Sequence, residues 1–281
     1  MDDFRGKVVA ITGAASGLGA ETARSFARRG ARLELCDIDN DGLRSISEEL
    51  KRGGTEVAIE VVDVSSAEQV KAWSEHVFER SGAVDVLVNN AGVTCAGRFE
   101  ELTLDDWQWI TGINFWGVIH GCHFFYPHMK EKGSGHIVNI SSAAAYAPLP
   151  LMSSYSSLKA AVLSFSQNLR GEGAAYGVGV STVCPGAMNT NIARSMRLIS
   201  STGRTSSVPA EKLDTRMIRL LRGSISSPST VAELVVRAVE RDRGIINSGI
   251  ETKCLDLLWR ISRRLAVAGL RVSLRFIDRH M

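Results

Sequence analysis

Apolar positions along the chain alternate between short, nearly continuous runs and longer segments in which they recur every three or four residues. "KVVAIT", Lys7 to Thr12, is a β-branched run of the first kind, and residues 17–30 follow it with helical spacing and a glycine stop. The alternation predicts further strands over 31–37, 56–64, 84–90, 135–141, 177–186 and 244–249. It predicts helices over 40–54, 66–82, 104–133, 153–176 and 227–242. Strands separated by helical runs need crossover connections, and right-handed crossovers build a parallel sheet with helices on both faces. The predicted fold class is therefore α/β, a doubly wound parallel sheet forming a single domain over residues 1–250. Ligands of such sheets sit at the carboxyl ends of the strands, near the point where strand order reverses.

Two stretches break the rhythm. Residues 187–226 are long, apolar in patches and interrupted by Ser, Thr and Gly, which predicts a lid or binding loop at the ligand end. Residues 251–281 form a basic extension in which Lys253, Arg260, Arg264, Arg271 and Arg275 fall on one helical stripe. Leu255, Leu258, Trp259, Leu265, Ala266, Leu270, Phe276 and Ile277 lie roughly opposite. A basic amphipathic helix of this kind can lie in a membrane interface, or cover the lid or a neighbouring subunit.

The candidate chemistry begins in "ITGAASGLGAE". Gly13, Gly17 and Gly19 join the first strand to the first helix, where free N–H groups and the helix dipole favour a pyrophosphate. The second strand ends at Asp37, whose carboxylate can bind ribose hydroxyls and would repel a 2′-phosphate. NAD is favoured over NADP, since neither Ser16 nor Ile38 offers a positive charge. This context makes the sheet Rossmann-type. In "SSYSSLKAAV", Tyr155 and Lys159 are four residues apart on a predicted helix. An ammonium so placed favours the phenolate and makes the phenol usable as a proton donor or acceptor.

Taken together, these motifs resemble the short-chain dehydrogenases/reductases, in the branch with a TGxxxGxG turn and a YxxxK pair. The resemblance runs from about Lys7 to Asn247 through "TGAASGLG" (Thr12–Gly19), Asp63–Val64, "NNAG" (Asn89–Gly92), Asn114, Ser142, Tyr155 with Lys159, and Pro185–Gly186 with Thr190. It implies that Tyr155 exchanges a proton with the substrate oxygen and that Ser142 hydrogen-bonds that oxygen. Lys159 would lower the Tyr155 pKa and hold the nicotinamide ribose, and Asn114 would anchor a proton-relaying water. Gly13, Ser16, Gly17, Leu18, Gly19, Asp37, Asp63, Val64, Asn89, Ala91, Gly92, Pro185, Gly186 and Thr190 would line the cofactor, with Asp63 and Val64 at the adenine, Asn89 beside the cofactor and Thr190 at the carboxamide. Leu158, where the family often has a smaller or polar residue, is expected to face away from the Tyr155–Lys159 side. Family members are usually dimers or tetramers.

Candidate substrate walls are Ala144, Tyr146, Met152, Met188, Ile192 and Met196. They are mostly apolar and without an arginine cluster, which points to an apolar secondary alcohol or ketone such as a lipid, terpenoid or steroid-like molecule. The expected activity is NAD(H)-dependent interconversion of the two. The alternative is a catalytically silent NAD(H)-binding redox sensor or scaffold.

Composition adds exclusions. The chain is 281 residues long with 44% hydrophobic and 22% charged residues, as in ordinary globular proteins. Its net charge of +3 is concentrated in the tail, where seven basic residues face three acids, so nucleic acid is not an expected partner. Five scattered cysteines without a CxxC pair fit a reducing cytoplasm, and the six histidines show no metal-ligand spacing. The N-terminus reads as neither a signal nor a transit peptide, and no 18-residue apolar run is present. A cytoplasmic protein is expected, with membrane contact only through the tail.

Overall fold

A computed structural model describes residues 1, 3–146, 151–186, 188, 197–200, 203–205 and 226–262. Seven parallel strands form the main sheet: β1 (Val8–Thr12), β2 (Arg32–Asp37), β3 (Val57–Val61), β4 (Val86–Asn89), β6 (Gly135–Ile140), β7 (Val178–Cys184) and β10 (Ile245–Asn247). Their spatial order is β10-β7-β6-β4-β1-β2-β3, so strand order reverses between β1 and β4. Ile11 of β1 lies beside Leu35 of β2 on one side and Val88 of β4 on the other. This is the predicted Rossmann-type sheet, and the reversal fixes where a ligand crevice opens.

The two-residue period of the strands sorts their side chains into two cores. Val9, Ile11, Leu33, Leu35, Val86 and Val88 pack under α1 (Gly17–Ala27), α2 (Asn40–Arg52) and α7 (Pro228–Glu240). Val8, Ala10, Leu87, Ile137 and Val180 pack under α3 (Ala67–Ser81), α5 (Gly117–Lys132) and α6 (Ser153–Ala174), where Trp73 and Phe125 meet with ring centroids 5.2 Å apart. Burial on both faces explains why these strands read as continuous apolar runs.

Three features depart from the sequence expectation. The stretch predicted as one helix over 104–133 is α4 (Leu104–Thr111), a π-helical turn over Gly112–Trp116, and then α5. A Cβ on Gly117 would lie 2.8 Å from Val64 Cγ2, so the helix passes close over the end of β3 and widens by a turn just before it. A small second sheet joins β5 (Cys95–Ala96), β8 (Arg197–Ser200) and β9 (Gly203–Thr205). Finally, the tail helix starts earlier than residue 251, as α8 (Gly249–Ile261). Most of the predicted lid and residues 263–281 of the tail lie outside the described residues. Among the described residues no helix is long and apolar enough to cross a membrane.

Candidate functional site

The crevice is built first from the turn between β1 and α1. Gly13 has φ of +65°, and a Cβ on it would lie 2.7 Å from the Ala91 Cα, so both conformation and space call for glycine. Gly19 packs its Cα against the Gly13 carbonyl, which brings the first turn of α1 onto the loop. The N-cap Ser16 makes no side-chain cap, which leaves first-turn N–H groups of α1 available to an anion; Leu18 points into the core. Asp37, at the end of β2, ties this loop down. Its carboxylate accepts from Ala15 N at 3.0 Å and from Asp39 N at 3.1 Å.

The end of β4 is fastened to the same turn by Thr12 and Asn90, which sequence reasoning did not single out. Thr12 Oγ1 accepts from Asn90 N (3.0 Å) and Ala91 N (3.1 Å), while Asn90 Nδ2 donates to the carbonyls of Thr12 (3.0 Å) and Gly13 (2.9 Å). Beside it, Asp63 accepts from Ser65 N and Oγ at 2.9 and 2.7 Å. Val64 is buried, and its carbonyl accepts from His120 Nδ1 at 2.9 Å. These residues leave a loop with free helix N–H donors and a carboxylate acceptor at the next strand end, an arrangement that fits the phosphates and ribose hydroxyls of a dinucleotide.

The second half of the crevice lies at the ends of β4 and β6. Ser142 follows β6 in extended conformation, and its Oγ accepts from Ala144 N at 3.2 Å, at the start of a short 3₁₀ turn over Ala143–Ala145. Tyr155, half-buried near the start of α6, stands close enough to Ser142 for that hydroxyl to act on its phenol. Lys159, four residues on, is buried, donates to the Ile140 carbonyl at 3.0 Å and lies 5.7 Å from the Tyr155 ring centroid. Ser141 Oγ donates to the Lys159 carbonyl at 2.7 Å, which fixes α6 against β6. Asn114 sits in the π-turn, fully buried, and exchanges two 2.8 Å bonds with the backbone of Val93. A Cβ on Gly92 would lie 3.3 Å from Asn114 Oδ1 and 3.5 Å from Lys159 Nζ, so the two side chains flank that glycine.

The electrostatics correct one expectation. Burial pushes the Tyr155 phenol up, and the Ser142 hydroxyl pulls it partly back; Lys159 does not bring it below its ordinary value. Burial also pushes the Lys159 ammonium down, to about 8, against an opposing pull from Cys184. Spacing on a helix predicted proximity, but the ammonium is turned onto a backbone carbonyl, and burial and Ser142 are what move the Tyr155 phenol.

Other expectations are placed differently. The Asn89 side chain is not at the glycine turn: it is buried in the α5–α6 layer, donating to Asn139 Oδ1 (2.8 Å) and Cys122 Sγ (3.4 Å). Strand alternation sends Asn89 to one face and leaves Asn90 for the turn. Leu158 does not face away from Tyr155, because both join an apolar cluster with Val93, Cys95, Ile110 and Ile199. Ala144 and Tyr146 are buried beside Ser142, with Tyr146 donating to Cys184 Sγ at 3.4 Å, and Met152 is half-buried just before α6. Met188 packs against the α1–α7 core, away from the Tyr155 cluster. Pro185 O accepts from Ala143 N at 2.7 Å, and Gly186 N donates to Ser248 Oγ at 3.0 Å, so the end of β7 is laced to the Ser142 turn and to the start of α8. Thr190, Ile192 and Met196 lie outside the described residues.

Residues 197–199 bring the chain back over the cluster. β8 pairs with β5, Ile199 packs with Tyr155, and the Arg197 guanidinium stacks 3.6 Å above the Trp109 ring, 3.9 Å from Asp106. No cluster of His, Cys, Asp or Glu able to hold a metal occurs among the described residues.

Comparison with known proteins agrees with this arrangement. The family model for short chain dehydrogenases matches residues 7–201. EphD of Mycobacterium tuberculosis, described as a probable oxidoreductase, is 40% identical over 252 residues, which is 86% of this chain; the chain spans about two-fifths (41%) of that relative's length. SadH of the same organism, also described as an oxidoreductase, is 34% identical over 96% of this chain and 97% of its own. Among solved structures, a short chain dehydrogenase/reductase from Burkholderia phymatum in complex with NAD superposes with a TM-score of 0.78 at 32% identity, covering 100% of this chain and 97% of its own.

Proposed function

This chain belongs to the short-chain dehydrogenase family and is an oxidoreductase of it, and from that premise we propose that it interconverts a secondary alcohol and a ketone on an apolar substrate, with NAD(H) as cofactor. The observation that carries the reading is the Tyr155 phenol beside Ser142 and Lys159, against an apolar cluster of Val93, Leu158 and Ile199. When bound, the dinucleotide supplies the hydride exchange at the carbinol carbon. The protein's own work is to orient the alcohol and to move its proton.

In this mechanism Ser142 Oγ and Tyr155 Oη share the substrate oxygen, and Tyr155 takes its proton in oxidation or gives one in reduction. A phenol held above its ordinary pKa by burial is a proton donor at rest, and it becomes a base only when positive charge approaches it. Lys159, lowered to about 8, remains largely charged at neutral pH and is the one buried cation beside the ring among the described residues. Freed from the Ile140 carbonyl, it can both favour the phenolate and bind ribose hydroxyls. Asn114, held by Val93 on the Lys159 side, would anchor a water through which the proton passes outward.

NAD over NADP rests on Asp37. Its carboxylate is fixed by two backbone N–H groups at the position a ribose would reach, where a 2′-phosphate would meet like charge. The apolar walls support a hydrophobic substrate, and homo-oligomerisation is proposed from the family pattern. The test is an NADH-fluorescence turnover screen of secondary alcohols from short diols to steroids and terpenols, with NAD and NADP in parallel. Turnover of a bulky apolar alcohol with NAD supports the reading; tight NADH binding with no turnover of any alcohol or ketone turns it toward a cofactor-binding sensor.

A further inference from the structure

Helix α8 is two-faced in a way that the composition of the tail does not reveal. Its acids are turned toward the body: Asp256 accepts from Asn247 Nδ2 at 2.9 Å and from Arg260 Nε at 2.8 Å, and its side chain is only 14% exposed. Glu251 is half-buried with Oε1 close to Gly186, and Thr252 is fully buried. Leu255, Leu258 and Trp259, expected opposite the basic stripe, are half-buried against the protein.

The outer face consists of Ile250, Lys253, Cys254, Leu257, Arg260 and Ile261, with no acid among them. Ile250, Leu257 and Ile261 are 78%, 57% and 71% exposed and, with Cys254, fall at intervals of four, three and four residues, which is a single helical stripe. Lys253 and Arg260 border that stripe. The sequence beyond Ser262 adds Arg263, Arg264, Arg271, Arg275 and Arg279 against one acid, Asp278.

We infer that this face docks on an anionic lipid surface, with Ile250, Leu257 and Ile261 inserted at the headgroup boundary, Lys253 paired with lipid phosphates or carboxylates, and Arg260, held through Nε by Asp256, offering only its remaining guanidinium N–H groups. Apolar residues bordered by cations are what an anionic interface recognises. A second copy of this chain fits less well, because apposing two such faces would bring their cations together. The same helix packs on the 3₁₀ turn that begins at Ser142, so docking places the lipid beside the candidate site.

The test uses the full chain, sedimented with vesicles of phosphatidylcholine alone or with about one-third phosphatidylserine, at low and high salt. The wild type is expected to bind the anionic vesicles selectively and to be released by salt. Leu257→Glu, Ile261→Glu and Lys253→Glu are each expected to weaken partition at least about fivefold. Leu104→Glu, at an exposed apolar position on α4, should leave it unchanged, and unaltered thermal melts keep folding out of the comparison. Absence of wild-type binding, equal binding to neutral vesicles, or binding indifferent to the α8 variants overturns the inference. So does light scattering in which Leu257→Glu dissociates an oligomer while no variant alters vesicle binding, since the stripe is then an interface between copies.

Discussion

Gly19→Ala measures how much of the cofactor site depends on the packing of one turn. A Cβ at this position would lie 2.6 Å from Asn90 Nδ2 and 2.8 Å from the Gly13 carbonyl carbon, and closer still to the Gly13 oxygen. Ordinary contacts of this kind begin near 3.4 Å, so either α1 or the loop must shift by roughly 0.6–0.8 Å or more, and overpacking on that scale costs about 1–3 kcal/mol. Asn90 cannot yield freely, because Nδ2 holds the carbonyls of Thr12 and Gly13. If the whole cost falls on the bound state, the Kd for NADH rises about 5- to 150-fold. Titration of NADH fluorescence reads this, and a thermal melt shows how much falls on folding instead. Gly171→Ala is the control: that glycine lies in α6 with nothing within 4 Å of an added Cβ, and alanine there should be neutral or stabilising by up to about 1 kcal/mol. A Gly19→Ala protein that binds NADH within twofold of wild type and melts unchanged would refute the placement of the pyrophosphate on this turn.

Arg197→Ala removes the stack on Trp109 and the contact with Asp106 that pin β8 beside the Tyr155 cluster; the expected result in steady-state kinetics is a KM for an apolar substrate raised up to about tenfold, with kcat less affected. His136 is buried, donates Nε2–H to Ser181 at 2.7 Å, and burial pushes it down to about 4. Because the unfolded chain takes up that proton near its ordinary value of about 6.5 and the native protein does not, stability is full above about 6.5 and falls by roughly 3 kcal/mol as pH drops toward 4. Urea melts across that range check it, and His136→Gln should flatten that part of the profile.

The sheet was legible because its central strands are buried on both faces, so they stand out as apolar runs whichever helix layer they meet. The placement of the glycine turn and Asp37 at strand ends, and of Tyr155 and Lys159 on one helix, was legible from spacing, whereas Ser142 came only from the family resemblance. What spacing could not supply was direction. Adjacent asparagines at 89 and 90 look alike in sequence, yet the pleat gives one to a buried polar chain and the other to the turn. The π-turn around Asn114 and the burial that raises Tyr155 come from contacts with residues distant in sequence, Val64 and Val93 among them. The two faces of α8 escaped for the same reason: its acids find partners only once the helix lies on the body.

The central claim is that Tyr155 moves the substrate proton while the cofactor site stands apart from it. Tyr155→Phe keeps the ring in its cluster and removes only the hydroxyl. The measurement is NADH affinity and turnover of the same alcohol, side by side, for wild type and variant. The account predicts NADH binding within about threefold of wild type and turnover lowered by 10²-fold or more; turnover within tenfold of wild type would contradict it.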